Sequence, residues 1–407
     1  MTTTRFGLLL ICSILQMAQR LDVSFAFSNL ATLSTHSATK NRQTSRYSAA
    51  SEDTADSSSN LPTVAVVGTG AVGGLYGARL WEAGLHNVKF QMRGENYQKS
   101  IQDGFQVTSV HGDIFIPPDK LQAYETTDEI GPVDWVVVAL KSTALEAIPE
   151  LIFPLLKKDT RVLVVMNGLV EDDLIHALKV RAGEKEYESY NEFLDENDDS
   201  IQFCAAVYGG MALVCSNRLT PGHVDHSYAG LLNAGVASFN PDRTTVEQNQ
   251  AAFEALFKGT KVDIAFEKSL LRGRWKKNVW NLPFNGISVA MGGITVDKIV
   301  GDPGLRWLAD TVMDETIAVA NADLLRHHED DSFYLGNAEK KQMMDLSDGM
   351  GPYRTSTMID LTEKRPLEVK YLFRKAIERA KILGIPVPHL ETLVVQIEAF
   401  QRFDKLF

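Results

Sequence analysis

The segment Thr63-Val-Ala-Val-Val-Gly68-Thr-Gly70-Ala-Val-Gly73-Gly74 decides the fold of this chain. Its first five residues form a short apolar run, which is typical of a strand covered on both faces. A helical stretch from Leu75 to Ala83 follows, and Gly84 ends it. Glycines at this spacing permit a tight turn, a close approach of a pyrophosphate to the backbone, and packing of the helix on the strand. The pattern predicts a dinucleotide site at the helix N-terminus, formed by Gly68, Gly70, Ala71, Val72 and Gly73.

The residues after the next predicted strand, Val88–Met92, indicate which dinucleotide binds. A site for NAD usually has Asp or Glu at this strand end, where the carboxylate binds the ribose 2′-hydroxyl group. Here Arg93 takes that place, and a guanidinium group there would pair with a 2′-phosphate. NADP, bound as NADPH, is therefore the preferred cofactor. A solvated surface arginine is the alternative for Arg93, and the nearby Glu95 leaves NAD open.

Further strands are predicted at Trp135–Leu140 and Val162–Met166, with a helical stretch around Leu145–Leu156 between them. The alternation of strand and helix indicates an α/β fold with a doubly wound, Rossmann-type parallel sheet. Ligands of such folds bind outside the carboxyl ends of the strands. Lys141 and Asn167 directly follow two of these ends, so we expect them to contact the cofactor or the substrate. Polar residues after a strand can also be simple turn formers.

Composition limits the remaining possibilities. The chain has 407 residues with 41 Lys and Arg against 52 Asp and Glu, and this acidic balance argues against nucleic acid as a partner. Residues 1–60 comprise an apolar run after Arg5 and then a Ser- and Thr-rich basic stretch, which predicts a targeting leader and a disordered linker. Its junction at Val23–Phe27 resembles the signal-to-transit boundary of plastid proteins of algae. We expect a plastid location. A mitochondrial, secretory or cytoplasmic location is the alternative.

Two domains are predicted after the leader: a nucleotide-binding domain over residues 61–265 and an all-helical domain over residues 266–407. No later segment is apolar enough to span a membrane.

The acidic stretch Glu184–Asp199 is interpreted as a solvated insertion. Strands at Phe203–Val207, Gly222–Ser227 and Leu231–Ala237 are expected to complete the edge of the sheet. His223 and His226 are interpreted as structural because no carboxylate or thiol completes a ligand set, so no metal is expected.

One stretch of the second domain carries candidate chemistry: Arg274-Trp-Lys-Lys277-Asn-Val-Trp-Asn281-Leu-Pro-Phe-Asn285. Lys277, Asn281 and Asn285 lie four residues apart, which places them along one face of the predicted helix Leu270–Ala290. A buried polar stripe is costly unless its groups meet a polar ligand or each other. A second element comprises Ser356 and, after a proline turn, Glu368 at the predicted start of a helix to Gly384. Further helices are expected around Gly304–Arg326, Glu339–Asp345, Met358–Thr362 and His389–Phe400.

Together these segments resemble the ketopantoate reductase (2-dehydropantoate 2-reductase) family. The resemblance rests on the glycine turn with Arg93, on Leu140-Lys141, on Asn167-Gly168, and on Trp275-x-Lys277-x-x-x-Asn281-x-x-x-Asn285. The element Ser356-x-Met358-x-Asp360 … Arg365-Pro366-x-Glu368 completes it. It implies a Rossmann domain, a helical C-terminal domain like that of 6-phosphogluconate dehydrogenase, and a substrate site in the cleft between them.

The resemblance also implies roles for individual residues. Lys277 falls on the general acid, and Glu368 falls on the acid that interacts with the lysine and the substrate. Asn281 and Asn285 fall on positions that hold the substrate's hydroxyl and carbonyl region, and Ser356 falls on the contact to its carboxylate. Asn167 falls on the residue that spans cofactor and substrate, and Lys141 falls beside the cofactor.

The expected activity is therefore NADPH-dependent reduction of 2-dehydropantoate to pantoate in pantothenate biosynthesis. A related NADP-dependent dehydrogenase of 2-keto or hydroxy acids is the first alternative. A catalytically silent NADP-binding sensor is the second. The expected partner is a small 2-keto acid, and a homodimer is plausible.

Overall fold

The computed structural model describes residues 61–184 and 200–404. The predicted leader and almost all of the predicted acidic insertion lie outside this part of the chain. The described residues form a sheet-based lobe, whose strands fall between Thr63 and Phe266, and a helical lobe that begins at Leu270.

One mixed sheet contains ten strands within the described residues. The strands are β1 Thr63–Val67, β2 Asn87–Gln91, β3 Phe105–Ser109, β4 Ile114–Ile116, β5 Gln122–Tyr124, β6 Trp135–Val138, β7 Arg161–Val165, β8 Ala206–Thr220, β9 His223–Phe239 and β10 Ile264–Phe266. Their order in the sheet is β4-β3-β9-β8-β7-β6-β1-β2-β5, with β10 paired to β9. β1, β2, β6 and β7 are parallel, as predicted, and β1 pairs with both β2 and β6.

Side chains alternate across the sheet and build a core on each face. Val64 and Val66 of β1 pack with helix α1 (Ala71–Ala83), whereas Ala65 and Val67 pack on the opposite side with α3 (Ile148–Ile152) and α4 (Glu171–Ala182). Because both faces are covered, β1 is apolar at every position from Val64 to Val67, which is why this strand could be recognised from sequence. The doubly wound fold class is confirmed.

The region after Ile201 differs from the prediction of three short strands at the sheet edge. β8 and β9 are two long antiparallel strands joined by the two-residue turn Pro221-Gly222, where Gly222 has a positive φ of 77°. They lie inside the sheet because β9 also pairs in parallel with β3. The sheet is therefore mixed rather than purely parallel.

The two histidines of β9 are hydrogen-bonded within the protein. His223 contacts Thr108 Oγ1 at 2.9 Å, and His226 contacts Ser109 Oγ and the Ala229 carbonyl oxygen, both at 2.8 Å. Burial lowers the pKa of His226. Within the described ranges, no group of three or more His, Cys, Asp or Glu side chains is arranged to hold a metal ion.

The helical lobe packs around α6 (Leu270–Ala290), which continues as one helix through Pro283 and has the predicted bounds. The predicted helix from Glu368 begins later, with a π-helical turn at Lys370–Arg374 that leads into the helix Lys375–Leu383. No helix of the described chain is long and apolar enough to cross a membrane. The remaining helices are α2 Gly94–Asp103, α5 Val246–Leu256, α7 Val296–Gly301, α8 Pro303–Arg326, α9 Asn337–Gly349, α10 Ser356–Thr362, α11 Lys375–Leu383 and α12 Pro388–Asp404.

Candidate active site

The glycine turn leaves an open cradle at the N-terminus of α1. Gly68 has a φ of 87°, and a Cβ atom on Gly73 would lie 2.3 Å from the Gly68 carbonyl oxygen, so both positions require glycine. A Cβ atom on Gly70 would meet no described atom within 4 Å. Gly70 precedes the helix, and no side chain of the described residues caps it. The backbone therefore offers free space and N–H groups with a positive dipole end, which suits the diphosphate of a dinucleotide.

Arg93 lies beside this cradle. It is exposed at the start of α2 and forms no ion pair with any described residue. Thr69 Oγ1 donates a hydrogen bond to the Gln91 carbonyl oxygen at 2.8 Å, and Asn96 Nδ2 donates one to the Thr69 carbonyl oxygen at 3.1 Å. These two bonds join the glycine turn to the end of β2 and to α2. The guanidinium group is thus available to an anionic group next to the turn.

Lys277 is the centre of the second half of the site. Its Nζ donates hydrogen bonds to Asn167 Oδ1 and to the Ala212 carbonyl oxygen, each at 2.9 Å. α6 supplies the lysine, the loop after β7 supplies the asparagine, and β8 supplies the carbonyl oxygen. The sheet and the helical lobe therefore meet at this ammonium group.

Burial lowers the pKa of Lys277 from 10.5 to about 7. The positive charge of Arg274, one turn away on α6, lowers this pKa further, and the negative charge of Glu368 opposes the effect. A lysine with this pKa holds a proton at neutral pH and releases it readily. That is the property a general acid needs.

β8 connects the two halves of the site. Ala212 accepts the bond from Lys277, and four residues later Ser216 Oγ donates a hydrogen bond to the Ala71 carbonyl oxygen at 3.2 Å. At ~3.3 Å per strand residue, the Cα atoms of Ala212 and Ser216 are at most ~13 Å apart. A ligand that reaches both ends of this stretch must be extended, as a dinucleotide is.

Asn281 and Asn285 continue the face of α6 that carries Lys277, and both are buried. Asn285 Nδ2 donates a hydrogen bond to the Asn281 carbonyl oxygen at 3.1 Å, and Asn285 Oδ1 accepts one from the Thr357 N–H at 3.1 Å. Ser356 is exposed, and its Oγ lies 3.4 Å from Asn285 Oδ1. The structure therefore brings together the start of α10 and the asparagine face of α6.

Lys141 and Glu368 each bind a partner within the protein that the sequence did not indicate. Lys141 Nζ lies 2.5 Å from Asp360 Oδ1 on α10, and this carboxylate also pairs with Arg365. Glu368 accepts hydrogen bonds from the Ser142 N–H at 2.7 Å and from Ser142 Oγ at 2.9 Å. The described chain shows no hydrogen bond between Glu368 and Lys277, so the carboxylate acts on the ammonium group through its charge.

Sequence reasoning missed several groups that build the site. Ala212 contributes only a carbonyl oxygen, so its side chain gives no signal. Asp360 belongs to the segment that carries the family resemblance, and its acidic side chain near Arg365 could have indicated an ion pair. The contacts of Arg274 with Glu171 and of Ser142 with Glu368 join residues 103 and 226 positions apart, which no local pattern predicts.

Comparisons with known proteins show which family this chain is similar to. The family profile described as "Ketopantoate reductase PanE/ApbA" matches residues 64–238, and the profile of the family's C-terminal part matches residues 269–401. A 2-dehydropantoate 2-reductase of Nostoc sp. is 32% identical over 335 residues, which cover 82% of this chain and 93% of the relative.

Solved structures show the same similarity. The 2-dehydropantoate 2-reductase from Geobacter metallireducens is 33% identical, with a TM-score of 0.69 over 83% of this chain and 99% of that one. A protein from Staphylococcus aureus described as a dimeric ketopantoate reductase has a TM-score of 0.61 at 20% identity, over 84% of this chain and 99% of that one, which shows a shared fold. The chain belongs to the ketopantoate reductase family of oxidoreductases that act on CH–OH groups.

Proposed function

We propose that this protein reduces 2-dehydropantoate to pantoate with NADPH, as a step of pantothenate biosynthesis. The observation that carries the proposal is the Lys277 ammonium group, which extends from α6 to the loop after the carboxyl end of β7, where Asn167 accepts its hydrogen bond. Its pKa of about 7 allows it to give a proton to the oxygen of a carbonyl group under physiological conditions.

The residues present fit an NADP cofactor. The open space at Gly70 and the uncapped N-terminus of α1 suit the diphosphate, with contacts from Gly68, Ala71, Val72 and Gly73. Arg93 would bind the 2′-phosphate, and Lys141 and Asn167 would lie beside the cofactor. When it is bound, the nicotinamide ring supplies a hydride to the 2-keto carbon.

Side chains of this protein would then stabilise the negative charge that develops during the reduction. Negative charge builds on the carbonyl oxygen during reduction, and Lys277 Nζ stabilises this charge and transfers its proton to that oxygen. Asn281 and Asn285 would orient the hydroxyl and carbonyl region, and the Ser356 hydroxyl would donate a hydrogen bond to the substrate carboxylate. Glu368 would favour the charged state of Lys277 from a distance. Lys277 is left neutral and regains a proton from solvent.

The experiment is a steady-state assay of the purified protein that follows the loss of nicotinamide absorbance. Rates are measured with 2-dehydropantoate and a panel of other 2-keto acids, each with NADPH and with NADH. We expect the largest kcat/KM for 2-dehydropantoate with NADPH. A larger kcat/KM for another keto acid would indicate a related dehydrogenase. NADPH binding without turnover on any keto acid would indicate a sensor and contradict the proposal.

Location and assembly are further parts of the proposal. The basic, Ser-rich stretch of residues 28–50 favours a plastid location, which a fluorescent fusion of the full chain tests against mitochondrial and secretory markers. A homodimer is also proposed, and sedimentation equilibrium of the purified protein measures its mass directly.

A further inference from the structure

Arg274 is a buried guanidinium group for which the reaction scheme gives no role. Its side chain is 2% exposed, and it lies one helical turn before Lys277 on α6. Nη1 donates a hydrogen bond to the Met166 carbonyl oxygen at 2.5 Å, and Nε donates one to Glu171 Oε1 at 2.9 Å. Nη2 donates to the same Glu171 oxygen. One side chain thus connects α6 to two points on the sheet lobe.

These two points are the ends of the loop that carries Asn167. Met166 directly follows β7, and Glu171 is the first residue of α4. Between them, Gly168 has a φ of 84°, and a Cβ atom there would lie 2.3 Å from the Tyr371 carbonyl oxygen. Leu169 N–H donates a hydrogen bond to that oxygen at 3.1 Å. The loop is therefore held by Arg274 at its two ends and by the π-helical turn in its middle.

The neighbouring strand is shaped to admit the carboxylate. A Cβ atom on Gly209 of β8 would lie 2.3 Å from Glu171 Oε1, the oxygen that accepts two bonds from Arg274. Any other residue at this position would displace the Glu171 side chain or the strand. The space for the ion pair is thus built into the backbone of β8.

We propose that Arg274 and Glu171 are positioning residues, which fix the Asn167 loop so that Asn167 Oδ1 accepts the hydrogen bond from Lys277 Nζ. This inference rests on the proposed role of Lys277. A loop held only from one side could move Asn167 away from the ammonium group, and a displacement of about 1 Å in such a site can lower the rate about a hundredfold.

The charge of Arg274 and its hydrogen-bond geometry affect the site in two ways that substitutions can separate. The charged groups that act on Lys277 are Arg274, from the same helix, and Glu368, from the segment before the π-helical turn. β8 and the β7 loop present only a carbonyl oxygen and an amide to Nζ. Arg274→Lys keeps the positive charge but cannot form the three bonds of the planar fork. Arg274→Met removes the positive charge as well as the three hydrogen bonds. Because the charge of Arg274 lowers the pKa of Lys277, this variant should also raise that pKa.

The test uses the full chain and the variants Arg274→Lys and Glu171→Gln. We expect kcat to fall about ten- to a hundredfold in each while KM for NADPH stays within about twofold, because the glycine turn and Arg93, the proposed contacts to the diphosphate and the 2′-phosphate, are unchanged. Arg272→Lys is the matched control. Arg272 is on the same helix and pairs with Glu339 at 3.0 Å, away from the loop, so its kcat should be unchanged. Thermal unfolding verifies that each variant is folded.

A double-mutant cycle with Asn167→Ala distinguishes positioning from general destabilisation. If Arg274 acts through Asn167, Arg274→Lys will lower kcat little further in the Asn167→Ala background, because the two effects are not additive. Equal losses in both backgrounds, or wild-type kcat for Arg274→Lys and Glu171→Gln, would overturn the inference. Near wild-type kcat for Lys277→Met would instead overturn the proposed function on which it rests.

Discussion

The pH dependence of the reaction tests the role of Lys277 most directly. Only the protonated amine can donate, so kcat/KM for 2-dehydropantoate should be constant at low pH and fall as pH rises through the lysine's pKa. That pKa is about 7, because burial and the Arg274 charge both disfavour the ammonium form. Initial rates of NADPH oxidation at low substrate concentration, measured from pH 5.5 to 9, give the profile.

The structure also sets the size of the effect. At pH 9, about two pH units above the pKa, about 1% of Lys277 remains protonated, so kcat/KM should be about a hundredfold below its plateau. A lysine with the ordinary pKa of 10.5 would remain largely charged at pH 9, and the profile would be nearly flat. Glu368→Gln should move the inflection to lower pH, because the removed negative charge favours the ammonium form.

Two variants complete this test. Lys277→Met should lower kcat by about 10²–10⁴, the usual contribution of a positioned general acid. Lys276→Met is the matched control, since Lys276 is adjacent and its pKa is also lowered by burial, whereas Lys277 is the lysine that donates the hydrogen bond to Asn167. It should retain the wild-type inflection. A profile of the wild-type protein that stays flat to pH 9 would refute the reasoning, as would an unchanged profile for Lys277→Met.

Four other substitutions test the cofactor site and the helical core. Gly70→Ala should leave the melting temperature nearly unchanged but weaken NADPH binding, which a fluorescence titration measures. Gly73→Ala should weaken binding and also lower the melting temperature, because its Cβ atom would lie 2.3 Å from a carbonyl oxygen. Arg93→Met should raise KM for NADPH about tenfold and leave that for NADH unchanged; equal changes would contradict a 2′-phosphate contact. Asp323→Ala removes two hydrogen bonds to the buried Arg379. The free energy of unfolding, measured in urea, should therefore fall by about 3 kcal/mol. A decrease below about 1 kcal/mol would count against a buried ion pair.

Local sequence patterns predicted the parts of the fold that local physics determines. The apolar run at Thr63–Val67 indicates a strand covered on both faces, and two cores pack against it. The helix Leu270–Ala290 has its predicted bounds because Ser269 caps its start and apolar positions recur around it. The glycine turn was recognisable because Gly68 and Gly73 have steric reasons to lack a side chain.

Local sequence patterns could not predict which distant segments pair with each other. The alternation of residues around β8 and β9 indicates strands but not their partners, so their place inside the sheet depends on the parallel pairing of β9 with β3, more than a hundred residues earlier. Glu368 was expected to interact with Lys277, and its charge does act on the lysine, but the hydrogen bonds to its carboxylate come from Ser142, 226 positions away. A favourable partner at that distance is created by the fold and leaves no periodic signal in the chain.

The position of Lys277 also has an energetic consequence. The difference between a pKa of 10.5 and one of about 7 corresponds to on the order of 5 kcal/mol, at about 1.4 kcal/mol per pKa unit. Between these two pH values the unfolded chain binds more protons than the folded one, so the stability of the fold rises with pH over this range. Below pH 7 the full cost is present, and that is where the ammonium form is needed as a proton donor. The hydrogen bonds to Asn167 and Ala212 offset part of this cost and aim the group. The packing around Lys277 therefore has to supply the free energy that keeps its ammonium group in the desolvated cleft.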